Sequence, residues 1–262
     1  MPRAPGAGPH PPGARADLTT VAVLGLGEAG GRLAGDLAQA GVEIRGYDPA
    51  VPGHSADVRT AVGGADVVLS VNAAKAALNA AVEALPALSP GAVYADLNTA
   101  APALKRELAR LLEGTGARFA DVALLGPVPA RGLATPALAS GLGAQAFADA
   151  IGPLGMPVTV VSDRAGDAAA MKLVRSVFMK GLAASAVESM RAAEAADCAD
   201  WLADEIAEVI GRPLLDRLLE GSTRHAARRL DEMDAASELL RELGVEPRVA
   251  EASAALLADL AD

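Results

Sequence analysis

The chain divides by the spacing of its apolar residues. In the N-terminal part, short strand-like runs occur at 20–24, 43–47, 66–71, 92–96, 117–124 and 157–161. Between several of them lie stretches with helical spacing, at 32–40, 75–85 and 102–112. Strand and helix in repetition predict an α/β domain, a doubly wound parallel sheet with right-handed crossovers and helices on its faces. From about Gly166 the pattern turns helical almost throughout. One long alanine-rich helix is expected over 166–196, then helices over 201–219, 222–243 and 247–260. Ser222 reads as an N-cap and Gly244 as a C-terminal stop, with Arg241 in the last turn. Leu230, Met233, Ala236, Leu240 and Leu243 form one apolar stripe, expected to face a core. The expected organisation is a disordered tail over 1–17, an α/β domain over 18–164 and a smaller all-α domain over 165–262.

Composition refines this picture. Apolar residues make up 52% of the chain but aromatics only 2%, so the core is built from Ala, Val and Leu and its helices pack closely. The helical part makes a thin core by itself, and a homodimer through it is expected. A formal charge of −10 argues against nucleic acid and anionic membrane as partners. The scarcity of aromatics also removes any platform for stacking bases. One cysteine, Cys198, gives no intrachain disulfide framework and suits a reducing compartment. No apolar run is long enough to span a bilayer, and residues 1–17 lack the apolar centre of a secretory signal. A cytoplasmic location is expected.

The first candidate site follows the first strand. Gly25-Leu26-Gly27-Glu28-Ala29-Gly30 has G-x-G-x-x-G spacing, with a strand before it and a helix after it. Such a loop turns tightly at the first Gly, admits a pyrophosphate at the second and packs helix on strand at the third. The helix N-terminus then offers free N–H groups to the phosphates. The next strand ends at Asp48, where a carboxylate accepts hydrogen bonds from adenosine ribose hydroxyls. This is the fingerprint of a Rossmann-type dinucleotide site. Asp48 would repel a 2′-phosphate, which favours NAD over NADP, although Arg45 and Arg59 lie within reach in sequence. Val71 and Asn72, where the third strand-like run ends, complete the expected cofactor-binding set.

Three further segments carry candidate chemistry. Lys172, Ser176 and Lys180 share a helix face with Arg175 beside them, on a helix otherwise fit for burial. A desolvated lysine near other cations has a lowered pKa and suits proton transfer near neutral pH; an exposed lysine would instead snorkel. Asp96-Leu97-Asn98-Thr99-Ala100-Ala101-Pro102 gathers small polar groups where a strand ends, the edge at which α/β sheets hold ligands. Asn98 or Thr99 would also serve as a helix N-cap. The segment from Gly126 and Pro127 through Arg131 and Gly132 to Pro136 is stiffened by Gly and Pro, and its amides and Arg131 are suited to an anion or to a rigid connection. His10, His54 and His225 are scattered, with no Cys or acid spaced to join them, so no metal site is expected.

Together these segments resemble the β-hydroxyacid dehydrogenase family, which includes 6-phosphogluconate dehydrogenase. The glycine loop is similar to the family's cofactor loop. Asp96 through Pro102 is similar to its D-x-S-T-x-x-P motif, with Asn98 where Ser is usual, and Gly126-Pro127-Val128 stands in place of its S-G-G segment. Gly166 through Lys172 resembles the start of its long interdomain helix. A short bacterial branch of NAD(P)-dependent oxidoreductases is nearest, sharing the G-P-V-P-x-R-G loop and the stretch Arg228-Arg229-Leu230-Asp231-Glu232-Met233. The resemblance implies hydride exchange between NAD, or NADP, and a small anionic hydroxy acid, with Lys172 as the catalytic acid/base. Asn98, Thr99, Gly126, Pro127, Arg131, Ser176 and Lys180 are then expected around the substrate. The family commonly has Asn where Ser176 stands, and these changes argue against 6-phosphogluconate itself. Other readings are an NAD(P)-linked imine or ketone reductase and a noncatalytic dinucleotide sensor.

Overall fold

The computed structural model describes residues 20–52 and 54–261. The tail expected over 1–17 lies outside the described residues. The α/β part contains β1 (Thr20–Leu24), α1 (Glu28–Gln39), β2 (Glu43–Tyr47), α2 (Val58–Val62), β3 (Val67–Ser70), α3 (Ala74–Ala84), β4 (Val93–Asp96), α4 (Pro102–Leu111), β5 (Arg118–Leu124), α5 (Val128–Arg131), β6 (Ala137–Ser140), α6 (Ala144–Ile151) and β7 (Val158–Ser162). The strands form one seven-stranded sheet in the order β2-β1-β3-β4-β5-β6-β7. Neighbours β2, β1, β3, β4 and β5 run parallel. The order reverses across β1, so β1 and β3 open at their carboxyl ends into the crevice where such sheets hold ligands.

Two strands, β6 and β7, depart from the expected parallel winding. β6 lies antiparallel to β5, and β7 then runs parallel to β6. Ala137-Leu138-Ala139-Ser140 carries no β-branched residue, so its sequence gives no strand signal. Ladder bonds to both neighbours and complete burial of Ala139 and Ser140 hold it in the sheet instead.

Two apolar layers flank the sheet. One joins Val21, Val23 and Leu69 to Leu33 and Leu37 of α1 and Phe147 and Ile151 of α6. The other joins Ala22, Leu24 and Val68 to Ala77 and Ala81 of α3 and Leu108 of α4. The strand residues alternate between the layers, as period-two side chains must in a sheet buried on both faces.

The helical part is built around α7 (Asp167–Ala195), a helix of 29 residues. It is followed by α8 (Ala199–Ile210), α9 (Arg212–Arg224), α10 (Ala226–Glu242) and α11 (Arg248–Asp259). Its core is small: Leu173 of α7 meets Met233, Ala236 and Leu239 of α10 and Ala254 and Leu257 of α11. The helix expected over 201–219 is broken at Gly211, which has φ +82°, ahead of Pro213. Ser222 is not an N-cap. It lies inside α9, where its Oγ donates back to the Leu218 carbonyl at 2.7 Å, and α10 starts after His225. Gly244, with φ +73°, does end α10. Leu243 of the expected stripe is exposed, and Leu239 takes the buried position. Among the described residues no helix is long and apolar enough to cross a membrane.

Candidate active site

The glycine loop fits a dinucleotide on steric grounds. Gly25 has φ +97°, and a Cβ there would lie 2.5 Å from the Val71 carbonyl oxygen and 3.1 Å from the Asn72 nitrogen. A Cβ on Gly30 would lie 1.9 Å from the Gly25 oxygen. Both positions exclude a side chain because backbone fills the space. Gly27 is different: a Cβ there meets nothing within 4 Å, so the loop is open on the side that a phosphate would approach. Gly27 also precedes α1 without any side-chain cap, which leaves the N–H groups of Glu28, Ala29 and Gly30 at the positive end of the helix dipole.

Asp48 closes the loop from the end of β2. Its Oδ2 accepts from the Leu26 amide and its Oδ1 from the Ala50 amide, each at 2.8 Å. A carboxylate has about four acceptor positions, so Asp48 keeps capacity for ribose hydroxyls. Arg45 is turned elsewhere, to Glu43 at 2.9 Å and the Gly63 carbonyl at 2.6 Å. Arg59 is exposed on α2.

Next to this crevice lies a narrow cleft lined by Asn98, Thr99, Ala100, Asp121, Ala169 and Lys172. The Lys172 ammonium donates to Thr99 Oγ1 at 2.7 Å, which joins the helical part to the sheet edge. Lys172 is half-buried. Burial lowers its pKa to about 8; Lys105, Lys180 and Arg228 act in the same direction, and Glu232 opposes them. Neither Asn98 nor Thr99 caps α4, whose N-cap is Ala101. Asn98 instead points its Nδ2 at Ser70, Asn72 and Asp96, and its buried Oδ1 has no hydrogen-bond partner in the protein. That acceptor is available to a bound donor.

Sequence reasoning missed the group that holds this cleft in shape. Lys105 of α4 is buried, and its Nζ donates to Asp96 Oδ2 at 2.6 Å, the Asp96 carbonyl at 3.0 Å and the Asn98 carbonyl at 2.8 Å. Asp121 of β5 lies 3.3 Å from the same ammonium. Burial by itself pushes Lys105 down, but Asp96 and Asp121 outweigh it and hold the pKa above the ordinary lysine value. Asp121 Oδ2 also accepts from the Gly166 and Ala169 amides at 3.2 and 3.0 Å, so a carboxylate of the sheet caps the N-terminus of α7. Ser140 Oγ accepts from Ala168 at 3.0 Å in the same cap. Gly166 has φ +99°, and a Cβ there would lie 2.9 Å from the Pro102 oxygen, so α7 begins in close contact with the start of α4. This fastening fixes where Lys172 emerges. Two signals for it existed: Lys105 interrupts the apolar face Pro102–Leu108, and Asp121 interrupts an apolar strand.

Ser176 and Lys180 form a separate cluster one and two turns further along α7. Both engage Glu232 of α10: Ser176 Oγ donates to Glu232 Oε1, and the Lys180 ammonium lies 2.9 Å from that oxygen. Lys180 also reaches Ser176 Oγ at 3.3 Å. Burial pushes Glu232 up, yet Lys180, Lys172 and the Ser176 hydroxyl together hold it below its ordinary value. Glu232 lies in the Arg228–Met233 stretch that carried part of the resemblance, though no role was expected of it.

Gly126, Pro127 and Arg131 lie in the turn after β5, and Arg131 is exposed. The turn leans on the cofactor-loop helix: the Leu133 amide donates to Asp36 Oδ2 at 3.0 Å, and Arg32 reaches the Pro129 carbonyl at 3.4 Å. A connector braced in this way holds its shape against α1.

Comparison with known proteins agrees with this architecture. Residues 20–153 match the model of the NAD binding domain of 6-phosphogluconate dehydrogenase, and residues 193–260 match a domain of unknown function, DUF1932. A conserved hypothetical protein from Sinorhizobium meliloti 1021 is 29% identical, with a TM-score of 0.73 over 93% of this chain and 89% of that one. The 3-hydroxyisobutyrate dehydrogenase of Mycobacterium tuberculosis, solved with L-serine, is 21% identical, with a TM-score of 0.78 over 93% of this chain and 94% of its own; it shows the shared fold. A 28.5 kDa protein of Methanothermus fervidus is 26% identical over 144 residues, 54% of this chain, and the match spans only 55% of that relative's length.

Proposed function

Because the chain belongs to the family of the 6-phosphogluconate dehydrogenase NAD-binding domain and carries a hydroxyacid dehydrogenase-like NAD(P)-binding fold, we propose that it is an oxidoreductase for a small anionic hydroxy acid, with Lys172 as acid/base and NAD as the preferred cofactor. The observation that carries this reading is the Lys172–Thr99 contact. It brings an ammonium group of lowered pKa to the carboxyl edge of the sheet, beside the glycine loop.

The cofactor would lie along Gly25 to Gly30, on the floor formed by Val71 and Asn72, with its ribose at Asp48. When bound, its nicotinamide ring supplies a two-electron hydride acceptor. Neutral Lys172 takes the hydroxyl proton at Nζ while the carbinol carbon gives up its hydride and becomes a carbonyl. In the reverse direction the Lys172 ammonium returns the proton to oxygen. A pKa of about 8 places both protonation states within reach near neutral pH. Thr99 holds the amine, and Asn98 offers its unpartnered Oδ1 to the ligand. Gly126, Pro127 and Arg131 border the substrate from the braced turn. Ser176 and Lys180 act with Glu232 rather than as free substrate ligands. Lys172, Lys180, Arg228 and Arg229 outnumber Glu232 here, which supports an anionic substrate in a chain of net charge −10.

Support for NAD comes from Asp48, a carboxylate where a 2′-phosphate would have to sit, and from Arg45, already engaged by Glu43 and Gly63. The test is a screen of cofactor reduction over small hydroxy acids and sugar acids, run with NAD and with NADP. Turnover of at least one hydroxy acid, faster with NAD, is expected. Cofactor binding without turnover of any acid, or faster turnover of neutral alcohols and amines, would overturn the reading.

A further inference from the structure

Three carboxylates lie close to the cleft that holds Lys172, and other lysines occupy all of them. Asp96 and Asp121 of the sheet are taken by Lys105 of α4, at 2.6 and 3.3 Å. Glu232 of α10 is taken by Lys180, at 2.9 Å. Among the described residues, no carboxylate forms an ion pair with the Lys172 ammonium, which meets the Thr99 hydroxyl instead. The charged groups facing Lys172 are Glu232 and Arg228 from α10, Lys105 from α4 and Lys180 from its own helix. Of the three carboxylates, Glu232 acts on it most strongly.

The way Glu232 is held explains why it does not reach further. Lys172, Ser176 and Lys180 follow one another at four-residue spacing on one face of α7. Glu232 comes to that face from α10 and engages only the last two. Ser176 Oγ donates to Glu232 Oε1, and the Lys180 ammonium reaches both that oxygen and Ser176 Oγ, the latter at 3.3 Å. The pair is little exposed, 15% at Lys180 and 11% at Glu232, so salt screens it weakly. Arg229 and Arg175 also face Lys180 and disfavour its charge, while Glu232 supports it. Lys105 shows, in the same molecule, what buried carboxylates do to a lysine: they keep the proton on it. A Glu232 freed from Ser176 and Lys180 would do the same to Lys172, one turn away.

We propose that Ser176 and Lys180 are positioning residues that withhold Glu232 from Lys172 and so leave the Lys172 amine on Thr99. A lysine left in that company can exchange its proton; one paired with Glu232 would become a second fastening like Lys105. The proposal deepens the acid/base reading of Lys172 and rests on it for its catalytic meaning. The withholding itself is tested without substrate or cofactor.

The test is a pH titration of lysine-labelled protein by nuclear magnetic resonance. The chain has four lysines, Lys75, Lys105, Lys172 and Lys180, so the Lys172 signal is identified by its loss in Lys172→Met. In wild type it is expected to titrate near 8. Ser176→Ala changes no charge, and its Lys172 midpoint should rise by about 0.5 pH unit as Glu232 loosens. Lys180→Met should raise the midpoint by about one pH unit, and Lys180→Arg should keep it within about 0.3 pH unit of wild type. Beside Glu232→Gln, the same Lys180→Met change should move it less than about half as far, because no carboxylate is left to release. That double variant buries no unpaired carboxylate, so circular dichroism should show it folded even where Lys180→Met alone is not. No rise in Ser176→Ala, or a Lys180→Met rise as large without Glu232 as with it, would overturn the proposal. Titrations as expected in a protein that oxidises no hydroxy acid would uphold the withholding and overturn only the oxidoreductase reading.

Discussion

Two lysines flank the same turn of chain, and their surroundings give them opposite characters. Lys105 is 1% exposed and lies between two buried carboxylates, and its ammonium also meets two carbonyls. Its charge is matched, its pKa is raised, and it stays protonated throughout the range in which proteins work. Lys172 reaches the same turn from α7 but finds a neutral hydroxyl there, and its pKa falls to about 8. Burial acts on both in the same direction. The partners decide the outcome: carboxylates make a fastening of one lysine, and a hydroxyl leaves the other able to exchange its proton. The contrast also shows an order of dependence. Lys105 and Asp121 hold the Asp96–Thr99 turn and the start of α7, so they position Lys172.

The largest expected effect breaks the fastening. Lys105→Met leaves Asp96 and Asp121 buried with no cation, which should cost about 3–5 kcal/mol of stability, measured by urea unfolding. The sign with pH follows from the raised pKa: this contribution is complete below the unfolded lysine value of 10.5 and is lost only as pH rises through the higher folded one.

Next in size, Lys172→Met should lower turnover at least about a hundredfold, or about 2.7 kcal/mol in the barrier. Cofactor affinity, followed by calorimetry, should stay within about threefold, because the glycine loop and Asp48 are untouched. Stability should not fall as it does for Lys105→Met, since the charge removed is one that burial disfavours. Equal loss of stability in the two variants would erase the contrast between them.

A smaller effect sharpens it. Glu232 opposes the fall in the Lys172 pKa, so Glu232→Gln should move the activity midpoint of Lys172 to lower pH. An upward move would mean that the carboxylate acts on the amine in some other way.

How much of this was legible in the sequence depends on how local the cause is. The glycine loop, Asp48 and the alternation of strands are written in short stretches and read directly. The Lys172 helix was also visible, because a cationic stripe on an apolar helix is unusual. β6 was not, since a strand of Ala, Leu and Ser is made by its neighbours in the sheet. The Lys105–Asp96–Asp121 cluster joins β4, α4 and β5, and no spacing in one segment encodes that meeting. Ser176 and Lys180 were seen as a stripe, but Glu232, which occupies them, arrives from α10. Ser222 shows the reverse failure: a good capping residue that donates to a carbonyl within its own helix.

The central claim is that the amine on Thr99 exchanges a proton with the substrate. The pH dependence of kcat/KM for hydroxy acid oxidation tests it most directly, measured for wild type and Lys172→Met. The account predicts activity that rises with pH through a midpoint near 8, as the neutral amine forms, and residual activity in the variant without that limb. The same limb at the same midpoint in Lys172→Met would contradict it.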